Sequence, residues 1–338
     1  MFFLDPTEIG SLEKYLCSRR VLDTHQAVTS ASRAGDGNMN CTVRVTTDSG
    51  SLIVKQARPW VEKYPQFAAP WDRACREAEF YRLIATRPWV ATLMPRLLDF
   101  DPEARVLMLE DLGIASDYTS LYRGGSLTPE EITVMGEFLS ELHRSFGKDS
   151  EASGLSNREM RELNHAHIFV IPLADGNGMD LDTITPGLAN AAKSLQSDAG
   201  YGREVARLGR EVYLADGICL LHGDFFPGSV LRTASGPRVI DPEFGHFGRP
   251  EFDVAVFLAH LLLSNQPEEH VTRWRNAYAA PPAFDDDLML QLAGVEIMRR
   301  LIGYAQLPVG YGLRRKCELL ELSRNLVLQP RMRLLARS

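Results

Sequence analysis

The sequence predicts an α+β chain in two lobes: a small N-terminal lobe, residues 1–112, built on an antiparallel sheet, and a larger, mainly helical C-terminal lobe, residues 113–338. Three observations carry this expectation. Strand-like runs joined by turns fill the first third of the chain, and almost everything after Leu112 spaces its apolar residues as helices do. The segment 220–243 fits neither pattern. It sets two acidic clusters in apolar runs, with a turn at Ala234-Ser235-Gly236-Pro237 between them.

The composition is that of a soluble globular protein, 45% hydrophobic and 24% charged over 338 residues, enough to bury a substantial core. A net charge of −7 weighs against a nucleic-acid binder. The five cysteines (Cys17, Cys41, Cys75, Cys219, Cys317) form no CxxC pair and suit a reduced cytoplasmic compartment. Met1-Phe2-Phe3-Leu4 is followed at once by Asp5-Pro6, so no leader is read. The run Val254–Leu263 is too short for a membrane span and contains His260. The expected partner is a small molecule, with no nucleic acid and no membrane; a homodimer is left open.

In chain order, Thr7–Arg20 reads as a helix with Thr7 as N-cap, and Val21–Thr29 as a first strand. The turn Gly35-Asp36-Gly37-Asn38-Met39-Asn40 precedes strands at Thr42–Val45 and Leu52–Lys55. Such a turn lets backbone amides approach an anion, and any tight hairpin needs the same glycines. A lysine at a strand end is ordinarily solvated. The helix after Pro70, however, carries Glu77 and Glu79, either of which could pair with Lys55. Strands at Leu97–Phe100 and Val106–Leu109 lead into Glu110-Asp111-Leu112-Gly113, the connector between lobes.

Downstream, Thr128-Pro129-Glu130-Glu131 starts a helix that runs through Met135, Phe138, Leu139, Leu142 and Phe146, with His143 as a core histidine. His165 and His167 lack further ligands at zinc spacing. Two helices cover Thr185–Leu195 and Gly202–Leu214, the second with a solvated face of Arg203, Arg207 and Arg210. Glu251-Phe252-Asp253 opens a very apolar helix, in which Asp253 caps the helix or bonds to loop backbone. The helix Leu288–Ala305 carries Glu296, Arg299 and Arg300. Adjacent arginines point about 100° apart on a helix, so one is expected solvated and the other salt-bridged. Gly312–Leu328 reads as a packing helix.

The chemistry is read from 220–243. Asp224 follows Ile218-Cys219-Leu220-Leu221, and Asp241 and Glu243 follow Arg238-Val239-Ile240. A hairpin at the intervening turn would bring the carboxylates together. Carboxylates clustered in an apolar setting repel one another unless a cation or a reacting proton joins them. Phosphoryl transfer has that requirement: one carboxylate orients the attacking hydroxyl and others hold Mg²⁺ against the phosphates.

With these residues in hand, the chain resembles the aminoglycoside phosphotransferase/choline kinase superfamily, and within it the 5-methylthioribose kinases, from about Gly35 to about Ala305. His222-Gly223-Asp224 with Gly228-Ser229 is similar to that family's catalytic loop, and Ile240-Asp241-Pro242-Glu243-Phe244 to its metal motif. Val54-Lys55-Gln56-Ala57 with Asp72-Arg73-Ala74 resembles its nucleotide-lysine segment, which favours Glu77 over Glu79 as the partner of Lys55. The resemblance implies a protein-kinase-like two-lobe fold and an ATP- and Mg²⁺-dependent transfer to a small-molecule hydroxyl. It places Asn40 in the glycine loop on the nucleotide, the hinge Glu110, Asp111 and Leu112 on adenine, and Lys55 on the α/β phosphates. Asp241 and Glu243, with Ser229, would hold Mg²⁺, and Asp224 would act as the catalytic base. Arg299 and Arg300 would contact the acceptor, with Phe225 and Phe226 lining its entry.

Two departures from the methylthioribose kinases, Phe225-Phe226-Pro227 and a shorter interval from Asp253 to Arg299, favour an alternative: a kinase for another small alcohol or a natural product such as an antibiotic. A polycationic aminoglycoside fits less well beside two arginines. A third alternative, a nucleotide-binding pseudokinase, is disfavoured by Lys55, Asp224 and Asp241 standing together in one chain.

Overall fold

The computed structural model describes residues 2–35, 37, 39–147 and 155–335. Asp36 and Asn38 of the expected glycine loop lie outside the described residues. The chain divides into two compact units: residues 1–116 with 233–243, and residues 117–232 with 244–338. The division differs from a single cut at Leu112, because the stretch carrying Asp241 and Glu243 belongs to the first unit.

In the first unit, α1 (Ile9–Ser18) leads to β1 (Val28–Arg33), β2 (Cys41–Thr47) and β3 (Gly50–Gln56). A short hairpin, β4 (Trp60–Val61) and β5 (Tyr64–Ala68), precedes α2 (Arg73–Ile84) and α3 (Pro88–Thr92). The strands β6 (Leu97–Asp101) and β7 (Val106–Glu110) complete a five-stranded sheet of order β1-β2-β3-β7-β6, with every pairing antiparallel. β2 alternates buried and part-buried residues along its length, as a strand with one face on a core must. That core joins Leu12 and Leu16 of α1 to Val43, Val45, Leu52, Val54, Val106 and Met108 of the sheet.

Two details of this unit differ from expectation. The first strand begins at Val28 rather than Val21, because the amides of Val21 and Leu22 both turn back to the Leu16 carbonyl. Thr7 does not cap α1; its amide and hydroxyl both bond the Asp5 carboxylate, and the helix begins at Ile9.

After β8 (Ser116–Asp117), the second unit opens its helical part with α4 (Pro129–Ser145). Its start is a full capping box: the Thr128 hydroxyl accepts from the Glu131 amide, and the Glu131 carboxylate accepts from the Thr128 amide. Among the described residues four short helices follow: α5 (Arg158–His165), α6 (Leu181–Ile184), α7 (Leu188–Gln196) and α8 (Ala199–Arg207), with a wide π-type turn over Leu208–Tyr213. β9 (Cys219–Leu221) and β10 (Val230–Thr233) flank the loop that carries Asp224. β11 (Gly236–Val239) belongs to the first unit, and β12 (His246–Gly248) pairs antiparallel with β9.

Four helices close the chain: α9 (Glu251–Leu263), α10 (Glu268–Ala277), α11 (Asp286–Ile302) and α12 (Leu313–Leu328). α9 is buried along its whole length, which is why its sequence is apolar on every side. It packs against α11, which packs in turn against α12. No helix among the described residues is long and apolar enough to cross a membrane.

Candidate active site

The first unit builds one polar cluster. Lys55 stands on β3 directly after Val54, whose side chain enters the core, so strand alternation turns the lysine to the opposite face. There its ammonium meets Glu77 of α2 at 2.7 and 2.8 Å and Asp241 at 2.8 Å. Glu77 is 1% exposed, whereas Glu79 lies near the surface and pairs with Arg76. Glu77 is therefore the partner of Lys55. Asp241 takes a left-handed backbone conformation, φ 60°, unusual for a non-glycine residue, and its side chain is half exposed.

Beside this triad, Arg73 is wholly buried. Its guanidinium donates to the carbonyls of Met39, Arg58 and Pro70, each at 2.8 Å, and through Nε to Asn40 Oδ1 at 2.9 Å. Asn40 passes the contact on, donating from Nδ2 to Glu243 Oε2 at 2.8 Å, while Arg73 Nε lies 3.6 Å from the same oxygen. Asn40 was expected on the nucleotide. Here both ends of its amide bond protein groups, and it fixes Glu243.

Two cations, Lys55 and Arg73, thus face three carboxylates, Glu77, Asp241 and Glu243. Burial alone would push the Lys55 ammonium down, but Asp241 and Glu77 hold it well above the usual lysine range. Burial pushes the Glu77 carboxyl up to about 7; Lys55 opposes this, and Asp241 and Glu243 add to it. The surplus of negative charge is what a divalent cation would relieve, and the donors present are the hard oxygens such a cation takes. Among the described residues, no group of three or more His, Cys, Asp or Glu stands placed to hold a metal ion. The third expected ligand, Ser229, is in the second unit, where its hydroxyl donates to the Asp224 carbonyl at 2.9 Å.

In the segment 110–113, the Glu110 carboxylate accepts from Arg96 at 3.2 Å, and Asp111 binds Arg44 at 2.8 Å and the Gly113 amide at 2.9 Å. Their side chains serve local structure.

The second unit builds the other cluster, around Asp224. The loop carrying it starts from β9 and turns at Gly223, φ 84°, where an added Cβ would stand 2.2 Å from the Phe244 carbonyl oxygen. The buried Asp253 carboxylate of α9 accepts the His222 amide at 2.7 Å, the Gly223 amide at 3.0 Å and His143 Nε2 at 3.2 Å. Of its two expected roles, Asp253 has the second: it binds loop backbone. The Asp224 carbonyl accepts from Ser229 Oγ and from the Phe226 amide. The backbone of Asp224 is held on both sides, and its carboxylate is left for other work.

Arg299 and Arg300 do not separate as expected. Both are buried, and both reach one carboxylate: Glu296 accepts Arg300 Nε at 2.6 Å and Arg299 Nη1 at 3.1 Å. The reason is spacing, since Glu296 is three and four residues before them and long side chains at i+3 and i+4 converge on one helix face. Asp224 Oδ1 lies 3.6 Å from Arg299 Nη1 and 3.6 Å from Arg300 Nη2. Asp224 Oδ1, Arg299 Nε and Arg300 Nη2 are all buried without a hydrogen-bond partner.

Glu296 is held from behind. His260 Nε2 lies 3.2 Å from it, and the other ring nitrogen is 2.6 Å from the Tyr122 hydroxyl. Burial pushes His260 down to about 4, outweighing Glu296, so the ring is neutral near pH 7. A neutral imidazole facing a carboxylate carries its proton on that side, so Nε2–H donates to Glu296 and Tyr122 donates to Nδ1. Burial would raise the Glu296 carboxyl, but Arg299 and Arg300 hold it well below the usual range.

The two phenylalanines part ways. Phe226 lies under the Arg300 guanidinium, 4.7 Å from ring centre to Cζ, and beside His260. Phe225 is fully buried among Phe138, Phe257 and Trp274, a core residue and not the lining of an acceptor's entry. From sequence, Arg73, Glu296, His260 and Tyr122 had no role in the site. Two left a signal there: Arg73 stands in Asp72-Arg73-Ala74, and Glu296 lies one helical turn before the arginine pair.

The pattern of the phosphotransferase enzyme family (APH) matches residues 30–289. A methylthioribose kinase of Exiguobacterium sibiricum is 29% identical over 256 residues, covering 71% of this chain and 62% of that protein, less than two thirds of its length. A methylthioribose kinase of Geobacillus thermodenitrificans is 28% identical over 339 residues, covering 86% of this chain and 83% of that one. Among solved structures, the choline kinase LicA from Streptococcus pneumoniae superposes with a TM-score of 0.53 at 16% identity, covering 94% of this chain and 97% of that one. The fold is shared with it: mixed α+β, an N-terminal antiparallel sheet followed by a mainly helical part. Matched by the family pattern over most of its length, the chain belongs to the phosphotransferase enzyme family.

Proposed function

We propose that this chain is an ATP-dependent small-molecule kinase that transfers the γ-phosphate of ATP to an acceptor hydroxyl. The observation that carries this is the pair Asp224 Oδ1 and Arg300 Nη2, both buried, both without a hydrogen-bond partner and 3.6 Å apart. A hydroxyl satisfies both at once, donating its proton to the carboxylate and accepting from the guanidinium. Held so, its oxygen is the nucleophile and Asp224 takes the proton as it attacks.

The first unit would serve the nucleotide. Lys55, held by Glu77, would contact the α/β phosphates, and the backbone of residues 110–112 would hold adenine. Asp241 and Glu243 would hold Mg²⁺, with Ser229 as the sequence-expected third donor; bound there, Mg²⁺ neutralises charge on the phosphates. Lys55 sits on Asp241 in the structure described, so cation binding would exchange one positive partner of that carboxylate for another.

Methylthioribose is the first acceptor to test, on the likeness to the two bacterial methylthioribose kinases. Phe226 supports a second reading, a hydroxyl compound with an apolar or aromatic portion, because it offers a ring face beside Arg300. The test is Mg·ATP turnover by the purified chain on methylthioribose, choline, and a panel of aliphatic and aromatic alcohols. Phosphorylation of one of them with kcat of about 1 s⁻¹ or more is the expected result. ATP binding with no phosphorylation across the panel would favour a pseudokinase and count against the proposal.

A further inference from the structure

The acceptor cluster contains a contradiction that needs a physical account. Two guanidiniums lie 3.6 Å from the carboxylate that is to serve as base, yet neither bonds to it. Charge-assisted Arg–carboxylate bonds form readily at about 2.7–2.9 Å; of the two donors concerned, Arg300 Nη2 has no hydrogen-bond partner and Arg299 Nη1 is turned to Glu296. A base so clamped would have lost both the lone pair and the space it needs for a hydroxyl.

What stands in the way is Glu296. Its two oxygens take Arg300 Nε at 2.6 Å and Arg299 Nη1 at 3.1 and 3.4 Å. It is itself fixed by His260, and His260 by Tyr122. Phe226 under Arg300 and Asn164, 3.5 Å from Arg299 Nη2, restrict the guanidiniums from other sides. Glu296 and Asp224 balance Arg299 and Arg300 in charge; His260, Tyr122 and Tyr213 are further titratable groups that interact with Asp224.

We infer that Glu296 is a positioning residue: a competing carboxylate, braced by His260 and Tyr122, that draws Arg299 and Arg300 back and keeps Asp224 open to the acceptor hydroxyl. It rests on the kinase proposal for the role of Asp224, while its structural half stands alone. No bond is made or broken in it; the step it protects is the proton transfer from the hydroxyl to Asp224.

The test is Glu296→Gln, which keeps shape and removes the charge. In its crystal structure at least one arginine nitrogen should move from 3.6 Å to within about 3.0 Å of Asp224, a full hydrogen bond. With Mg·ATP and methylthioribose, or the best acceptor of the panel, kcat should fall about tenfold or more while KM for ATP holds. The decisive arm is Glu296→Gln with Arg299→Met. A competing carboxylate predicts that losing one guanidinium raises kcat above that of Glu296→Gln alone; a purely structural Glu296 predicts a further loss. Glu296→Asp should recover part of the rate.

Arginines that stay 3.6 Å away in a folded Glu296→Gln, or a double variant slower than the single, would overturn the inference. Should Glu296→Gln not fold, Tyr122→Phe carries the test: the same shortening and a smaller loss of kcat support it, and unchanged distances and rate overturn it. Wild type that phosphorylates no acceptor would sink the kinase proposal and leave the crystallographic distances to decide this one.

Discussion

Replacing Asp253 by asparagine tests how the loop carrying Asp224 is held. Three donors converge on this fully buried carboxylate: the amides of His222 and Gly223 and the His143 ring. A carboxylate only accepts, and its two oxygens serve all three. Asparagine keeps the size but turns one oxygen into an NH₂ group, which must face a donor. The loss is one charge-assisted hydrogen bond, about 1.5–3 kcal/mol. At about 2–4 °C per kcal/mol for a domain of this size, the melting temperature at pH 7 should drop by roughly 3–12 °C.

The pH dependence has a definite sign. Burial would raise the Asp253 carboxyl, but bonds from His143, His222 and Gly223 bring it below the ordinary value. Stabilisation by a depressed carboxyl is present above the unfolded-state pKa and is lost as pH falls through the folded one. The melting curves of wild type and Asp253→Asn should therefore converge in acid. Turnover should fall as well, since Gly223 precedes Asp224. Differential scanning calorimetry at pH 4 and pH 7 measures the first effect and initial rates the second. A variant that melts within a degree of wild type at pH 7 and keeps its rate would refute this assignment.

Other perturbations follow from the two clusters. The Glu77 carboxyl, raised to about 7, contributes stability that is lost as pH rises from its ordinary value through 7, when three carboxylates face two cations. Mg²⁺ should therefore raise the melting temperature more at pH 8 than at pH 6, with stabilisation near 2.7 kcal/mol at a hundredfold excess over Kd; equal shifts at both pH values would count against a cation site there. Gly223→Ala forces a side chain onto φ 84° and against the Phe244 carbonyl 2.2 Å away, and should destabilise by about 2 kcal/mol or more in denaturant melts. Phe225→Ala should lose about 3–5 kcal/mol as a core truncation. Phe226→Ala should leave the midpoint nearly unchanged and raise the acceptor KM; the reverse pattern would mean the two rings have been assigned the wrong way round.

Much of this was legible in the sequence because it is written in local spacing. The strands Leu97–Phe100 and Val106–Leu109 and the capped helix at Thr128 appear within a residue or two of their expected limits. Lys55 needed a carboxylate and the next helix offered Glu77 and Glu79. These lie about 200° apart on a helix, so only one could face it, and the packing of α2 decides which. What was not legible depends on contacts distant in sequence or on loop direction. Asn40 is held by Arg73 and Glu243, and nothing near Asn40 announces either. Phe225 and Phe226 are neighbours in a loop without periodicity, and one enters the core while the other lies against Arg300. The arginine pair was read from helical angle alone. Long side chains override that angle when a carboxylate sits one turn back and the helix is buried on every side from Leu292 to Ile302.

The central claim is that Asp224 is the base and that the nucleotide is held elsewhere in the chain. The direct measurement is Asp224→Ala, with ATP affinity by titration calorimetry and phosphoryl transfer by single turnover on the same preparation. Loss of transfer by about 10²–10⁴-fold with ATP affinity kept within about twofold is the expected result. Transfer at the wild-type rate would contradict the account.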